Sequence, residues 1–214
     1  MERWNRDRAL ALTVGNRWIY RADHYDTYQN DPITATYILT KTGLAEQSHS
    51  LYKALQIEEL RTLDSASVDS AWLAENSAYL AGIDFSRRYW LVSDGAALYQ
   101  QAELDFDTVT TDGILLYRWP LTNGDAWYPD PDQRQTFADV FEGPLPGRAF
   151  VSGPEALSVP AGTFEACYQR QTFYNGGSTF EWLCPGVGPV KAKFDHVGTP
   201  FGYEDRLVAA EIQP

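Results

Sequence analysis

The sequence predicts a mainly β protein: a single curved antiparallel sheet, half-barrel or barrel-like, with one or two short helices. Three observations predict it. Thirty of the 214 residues are aromatic (7 Trp, 13 Tyr, 10 Phe) against a single Met, a bias that suits pleated surfaces better than helices. Several stretches alternate apolar and polar side chains with a period of two. Turn signals built on Asp-Gly, Asn-Gly-Gly and Pro-Gly separate those stretches at short, regular intervals. The length fits one domain over residues 1–214, with a weak two-half organisation at 1–113 and 114–214.

The first strand is NRWIYRADHYDTY, where Trp18, Tyr20, Ala22 and His24 alternate with Arg17, Ile19, Arg21 and Asp23. ITATYILTKTG follows, rich in β-branched residues and closed by Gly43. SLYKALQIEELRTL fits both a helical stripe and an alternating strand, and we read it as a strand. Residues 67–82 are the best helix, with Ser67 or Asp69 as cap, Trp72, Leu73 and Leu80 near helical spacing, and Gly82 at the end. RRYWLVSDGAALYQQAEL reads as a hairpin about Asp94-Gly95, and GILLYRWPL as a strand stopped by Pro120. From Asn123 to Gly147 the chain is Pro-, Gly- and Asp-rich, a loop with one short strand near FADVFEG. The last quarter is a meander of strands.

One echo runs through the chain. GNRW (15–18) and GDAW (124–127) share a Gly, a short polar residue and a Trp at equal spacing, each after a Thr-containing turn. Two copies fall short of the three on which a repeat normally rests, so chance or a recurring hairpin start is the preferred reading.

The two cysteines fall across one hairpin. TFEACYQRQTF and STFEWLC flank YNGG, and a four-residue loop from Tyr174 to Gly177 sets Phe173 opposite Ser178 and Cys167 opposite Cys184. Directly opposed β residues approach closely enough to bridge. A different loop length would move the pair to a diagonal, and two buried free thiols are the alternative. Having only two cysteines, both in this hairpin, favours the disulfide and with it an exported protein. After Cys184, the run CPGVGPVK lacks ladder donors at Pro185 and Pro189 and has glycines at 186 and 188. It is read as a bend that redirects the strand, not as a dinucleotide fingerprint, because Lys191 occupies the third glycine position and no helix pattern follows.

SVPAGTFEACYQ, then a Gly-containing turn, then EWLCPGVGPVK resembles a motif of uncharacterised bacterial secreted and lipoprotein-type envelope proteins. RWPLTNGDAWY is similar to a second element of theirs. The likeness spans about residues 114–194, while residues 1–113 match only through GNRWIYR. Such proteins look related to half-barrel carriers of the LolA and LppX type. That resemblance implies a curved sheet wrapped around helices and an apolar cavity, and an extracytoplasmic location: secreted, periplasmic, or lipid-anchored through a removed signal. The N-terminal MERWNRDRALALTVG has no apolar signal-peptide core.

The charge excludes some partners. Seventeen basic residues among 29 acidic ones give a net charge of −12, which disfavours phosphate backbones and anionic membrane surfaces. No apolar run is long enough for a membrane-spanning helix. The preferred function is a non-enzymatic exported domain that holds a lipid-like ligand, or docks an envelope protein, on a concave aromatic face. Trp18, Tyr20, Tyr37, Trp90, Tyr117, Trp119, Phe180 and Trp182 are the candidate lining, with ordinary core packing as the alternative for each.

A second reading is a calcium-assisted carbohydrate-binding module, with Asp125, Asp130 and Asp132 beside Trp119, Trp127 and Tyr128. The spacing matches no EF-hand, and Asp105, Asp107 and Asp112 fail at Thr110, where glycine is needed. No cofactor is otherwise expected. A hydrolase ranks last. His24, His49 and His196 sit in no metal or nucleophile motif, and Glu58, Glu59, Glu165 and Glu181 are not brought together by spacing.

Overall fold

The computed structural model describes residues 12–26, 33–48, 50–68, 71, 74, 85–102, 113–129, 147–174, 176–198 and 201–213. Twelve strands are formed among them: β1 (Arg17–Asp26), β2 (Ile33–Ser48), β3 (Lys53–Leu63), β4 (Phe85–Ser93), β5 (Ala97–Ala102), β6 (Ile114–Arg118), β7 (Ala126–Trp127), β8 (Ala149–Val159), β9 (Gly162–Tyr174), β10 (Gly177–Cys184), β11 (Gly188–His196) and β12 (Phe201–Glu211). They build one antiparallel sheet in the order β6-β5-β4-β3-β2-β1-β12-β11-β10-β9-β8-β7. Two six-stranded meanders therefore lie side by side, joined where β1 pairs with β12.

No ladder joins β6 to β7 among the described residues, so the sheet is not a closed barrel. It curls until its two edges touch. Leu115 N donates to Pro129 O at 2.9 Å, and Trp127 Nε1 donates to Leu115 O at 3.2 Å. Coiling of this kind follows from strand twist accumulated over many strands. It places one face of the sheet inside the curl, where most of the buried apolar residues form one cluster.

The ambiguous stretch at 50–63 is the strand β3, because its alternate residues Leu55 and Ile57 enter the core while Leu60 stays exposed. The 94–95 turn is formed as expected. The Asp94 carboxylate accepts from Ala96 N and Ala97 N, and Gly95 takes φ 87°. Ser65–Ser67 is a short 3-10 turn capped by Asp64, whose side chain accepts from Ala66 N. The expected helix at 67–82 and the short strand near residues 137–143 lie largely outside the described residues.

The GNRW and GDAW echo has identical backbone bonding. Gly15 N donates to Gly43 O, Gly43 N to Asn16 O, and Asn16 N to Thr13 O. At the second site Gly124 N donates to Val151 O, Val151 N to Asp125 O, and Asp125 N to Thr122 O. Gly15 and Gly124 have φ of 89° and 91°, and both following tryptophans, Trp18 and Trp127, are buried. The echo thus marks the same structural position, the start of the first strand in each six-stranded meander.

Candidate functional site

The cysteine hairpin carries the register read from the sequence. Phe173 pairs with Ser178 and Tyr168 with Leu183, and a disulfide joins Cys167 to Cys184 with Cα atoms 4.2 Å apart. Tyr174 and Gly177 also pair, so the ladder runs one step further into the expected four-residue loop without changing the register. Beyond Cys184, the bend at 185–189 offers two carbonyls to the inner face of β1. Trp18 Nε1 donates to Val187 O at 2.7 Å and the Tyr20 hydroxyl to Pro189 O at 2.8 Å. The Pro- and Gly-rich corner therefore does more than redirect the chain: it satisfies the polar ends of two buried aromatic side chains.

Those side chains begin the wall of a cavity on the inner face. Trp18, Tyr20, Leu39, Ile57, Tyr89, Leu91, Leu98 and Tyr117 line it, with Lys41, Glu181, Lys191 and Asp205 among its polar members. Its volume is about 70 Å³, and it is open on one side. Interiors are close-packed, so a void of this size is a feature to explain.

Charged residues from several strands line this wall or pair with residues that do. Glu59, 1% exposed, accepts from Arg87 Nε at 3.1 Å, lies 2.9 Å from Arg87 Nη2 and 3.5 Å from Lys41 Nζ. The Tyr89 hydroxyl reaches its other side at 3.5 Å. Burial works against ionisation of Glu59, but Lys41 and Arg87 outweigh it and hold the carboxyl below the usual range. Burial likewise opposes the Lys41 charge, and the acidic groups facing it, Tyr89, Glu59, Tyr20 and Asp205, reverse that and keep its pKa high. On the other side, Arg170 is paired with Glu181, donates from Nη1 to Leu116 O at 2.9 Å, and lies over the Tyr117 ring.

Asp205 differs from both glutamates. It is 6% exposed, and its Oδ1 has no hydrogen-bond partner among the described residues. Burial raises its pKa to about 6, against the opposing pull of Arg61 and Lys41, with Glu59 and Glu181 adding to the rise. Nearby, His24 Nε2 accepts from Arg61 Nη1 at 2.9 Å, and its ring stacks on Tyr203 and meets Tyr37 edge-on. Burial and then the Arg61 charge lower the His24 pKa to about 4, so the ring is neutral at pH 7.

The structure distributes the eight aromatic candidates over several places. Trp18, Tyr20 and Tyr117 line the cavity. Tyr37 is fully buried in the same core cluster, and Trp119 packs against that cluster, stacked 6.0 Å from Tyr117. Trp90 belongs to a separate small cluster with Ala54 and Val92. Phe180 and Trp182 stack on each other, and Trp182 Nε1 donates to Glu155 at 2.8 Å; Glu181 between them is the β10 residue that lines the cavity. Alternation along the strand explains the split.

Of the three aspartates considered for calcium, Asp125 accepts from Thr122 N at 2.9 Å within its own turn. Asp130 and Asp132 lie outside the described residues. Glu58 pairs with Arg88, and Glu165 is exposed. The inward residues Lys41, Arg61 and Asp205 were not singled out from the sequence, and Glu59 was considered only as a candidate hydrolase carboxylate. A period-2 count from Leu39, Ile57 and Leu207, each with the same parity as its charged neighbour, carries that signal.

No family model and no curated protein matches the chain. Two solved structures are similar in outline. One is a "putative exported protein with YmcC-like fold" from Bacteroides fragilis, 14% identical, with a TM-score of 0.48, covering 94% of this chain and 97% of that one. The other is a "putative lipoprotein" from Parabacteroides distasonis, 13% identical, with a TM-score of 0.48, covering 95% and 98%. At those values neither likeness bears on what this chain binds or does.

Proposed function

We propose that this protein is an extracytoplasmic binding domain that holds a small, largely apolar molecule inside its curled sheet. The observation that carries the reading is the aromatic- and aliphatic-lined cavity between Trp18, Tyr20, Ile57, Leu91, Leu98 and Tyr117. Apolar cavities with a few placed polar groups are where such ligands bury most of their surface. The disulfide supports the location, since such bonds persist in oxidising compartments. Binding fits better than hydrolysis, because the two inward glutamates are committed to Lys41, Arg87, Arg170 and the Tyr117 hydroxyl.

Native mass spectrometry of the full chain, secreted into a bacterial periplasm and purified without detergent, tests this. The expected spectrum shows an oxidised mass two hydrogens below the reduced one and a co-purifying adduct of a few hundred daltons. Only bare protein, from this preparation and after incubation with an envelope lipid extract, would overturn the reading.

A further inference from the structure

Within that binding reading, the cavity carries a more specific message about its occupant. The walls are apolar apart from a few groups, and the charged ones are mutually arranged. Glu59 faces Lys41 and Arg87, Glu181 faces Arg170, and Lys191 pairs with Glu204 at 3.0 Å. Asp205 breaks the pattern: the residue lines the cavity, and its buried Oδ1 has no donor among the described residues. A buried acceptor without a donor is costly, so the position has something to gain from an incoming ligand.

What it gains is a hydrogen bond rather than a charge. Arg61 and Lys41 already act on Asp205 as cations, and Glu59 and Glu181 as anions. A cationic ligand head would meet Lys41 and Lys191 in the lining, and an anionic one would meet Asp205 and Glu181. An uncharged O–H or N–H donor meets neither objection. From the incompletely bonded Asp205 carboxylate and the surrounding apolar wall, we infer that the cavity takes an uncharged amphiphile, with a slim apolar body and a hydroxyl or amide head that donates to the Asp205 carboxylate. Tyr20, hydrogen-bonded to Pro189 O, and Trp18, bonded to Val187 O, supply fixed walls for the apolar part.

Calorimetric titration of the full chain at pH 7.5 with 1-decanol, decanoate and decylammonium separates the possibilities, because the three share one chain and differ in the head. The inference expects 1-decanol to bind most tightly, by at least about tenfold, the worth of one hydrogen bond to a charged group. Asp205→Leu is expected to lose about that factor for 1-decanol. Asp205→Asn, which keeps a neutral acceptor oxygen, is expected to retain about threefold of it, since a neutral acceptor bonds about half as strongly. Decylammonium binding best would overturn the inference in favour of cation recognition. Equal affinities for all three would also overturn it, while leaving an apolar binding cavity in place. Binding of none would remove both this inference and the binding reading on which it rests.

Discussion

Asp205→Asn is expected to change the shape of the pH–stability profile, not only its height. In the wild-type protein a buried group and a half-buried one act in nearly the same pH window with opposite sign. The Asp205 pKa is raised from 3.8 to about 6 on folding, so its contribution to stability is fully present below pH 4 and is lost as pH rises through 6. The His24 pKa is lowered from 6.5 to about 4, so its contribution is present above pH 6.5 and is lost as pH falls through 4. At about 1.4 kcal/mol per pKa unit, each amounts to about 3 kcal/mol, and the two largely cancel. Asp205→Asn removes the rising limb on acidification and leaves the falling one. Its unfolding free energy should drop by about 3 kcal/mol relative to wild type between pH 6.5 and 4. His24→Gln should show the mirror image. Urea unfolding at a series of pH values reads both, and profiles of the two variants that run parallel to wild type would refute the assignment of these groups.

Loss of the Cys167–Cys184 bond is the second large effect. The bridge closes a loop with a sequence separation of 17 and sits where both sulfurs are fully buried. Opening it frees the unfolded chain at a cost of about 3 kcal/mol in the chain-entropy model. The double variant Cys167→Ala/Cys184→Ala should lose at least that much, since the shortened side chains also leave space in the core. The bend at 185–189 then loses its anchor next to Trp18 and Tyr20, so the fluorescence of Trp18 should shift along with the urea midpoint. A midpoint unchanged by the double substitution would show that the corner is held by packing and by the two hydrogen bonds alone.

The strands were legible because each one carries its own period. Trp18-Tyr20-Ala22-His24 shows which side of β1 is buried without any knowledge of a partner strand, and the cysteine register follows from counting outward from one turn. The stretch at 50–63 was ambiguous locally and was decided by pairing with β2 and β4, which no local pattern contains. The cavity was only partly legible. Aromatic content pointed to Trp18, Tyr20 and Tyr117, but neighbours of opposite parity, such as Trp90 beside Tyr89 and Leu91, were grouped with them although adjacent strand residues face opposite sides. The charged wall was invisible as a cluster. Lys41, Glu59, Arg61, Arg87 and Asp205 come from four strands, and the sheet topology brings together residues as far apart in the chain as Lys41 and Asp205.

Methyl-resolved NMR of the full chain titrated with 1-decanol reads out whether a small apolar molecule sits inside the curled sheet. Shifts are expected at the cavity methyls of Leu39, Ile57, Leu91 and Leu98, with the exposed methyls of Leu60 and Val208 unmoved. Shifts confined to exposed methyls, or none at all at saturating decanol, would contradict such binding.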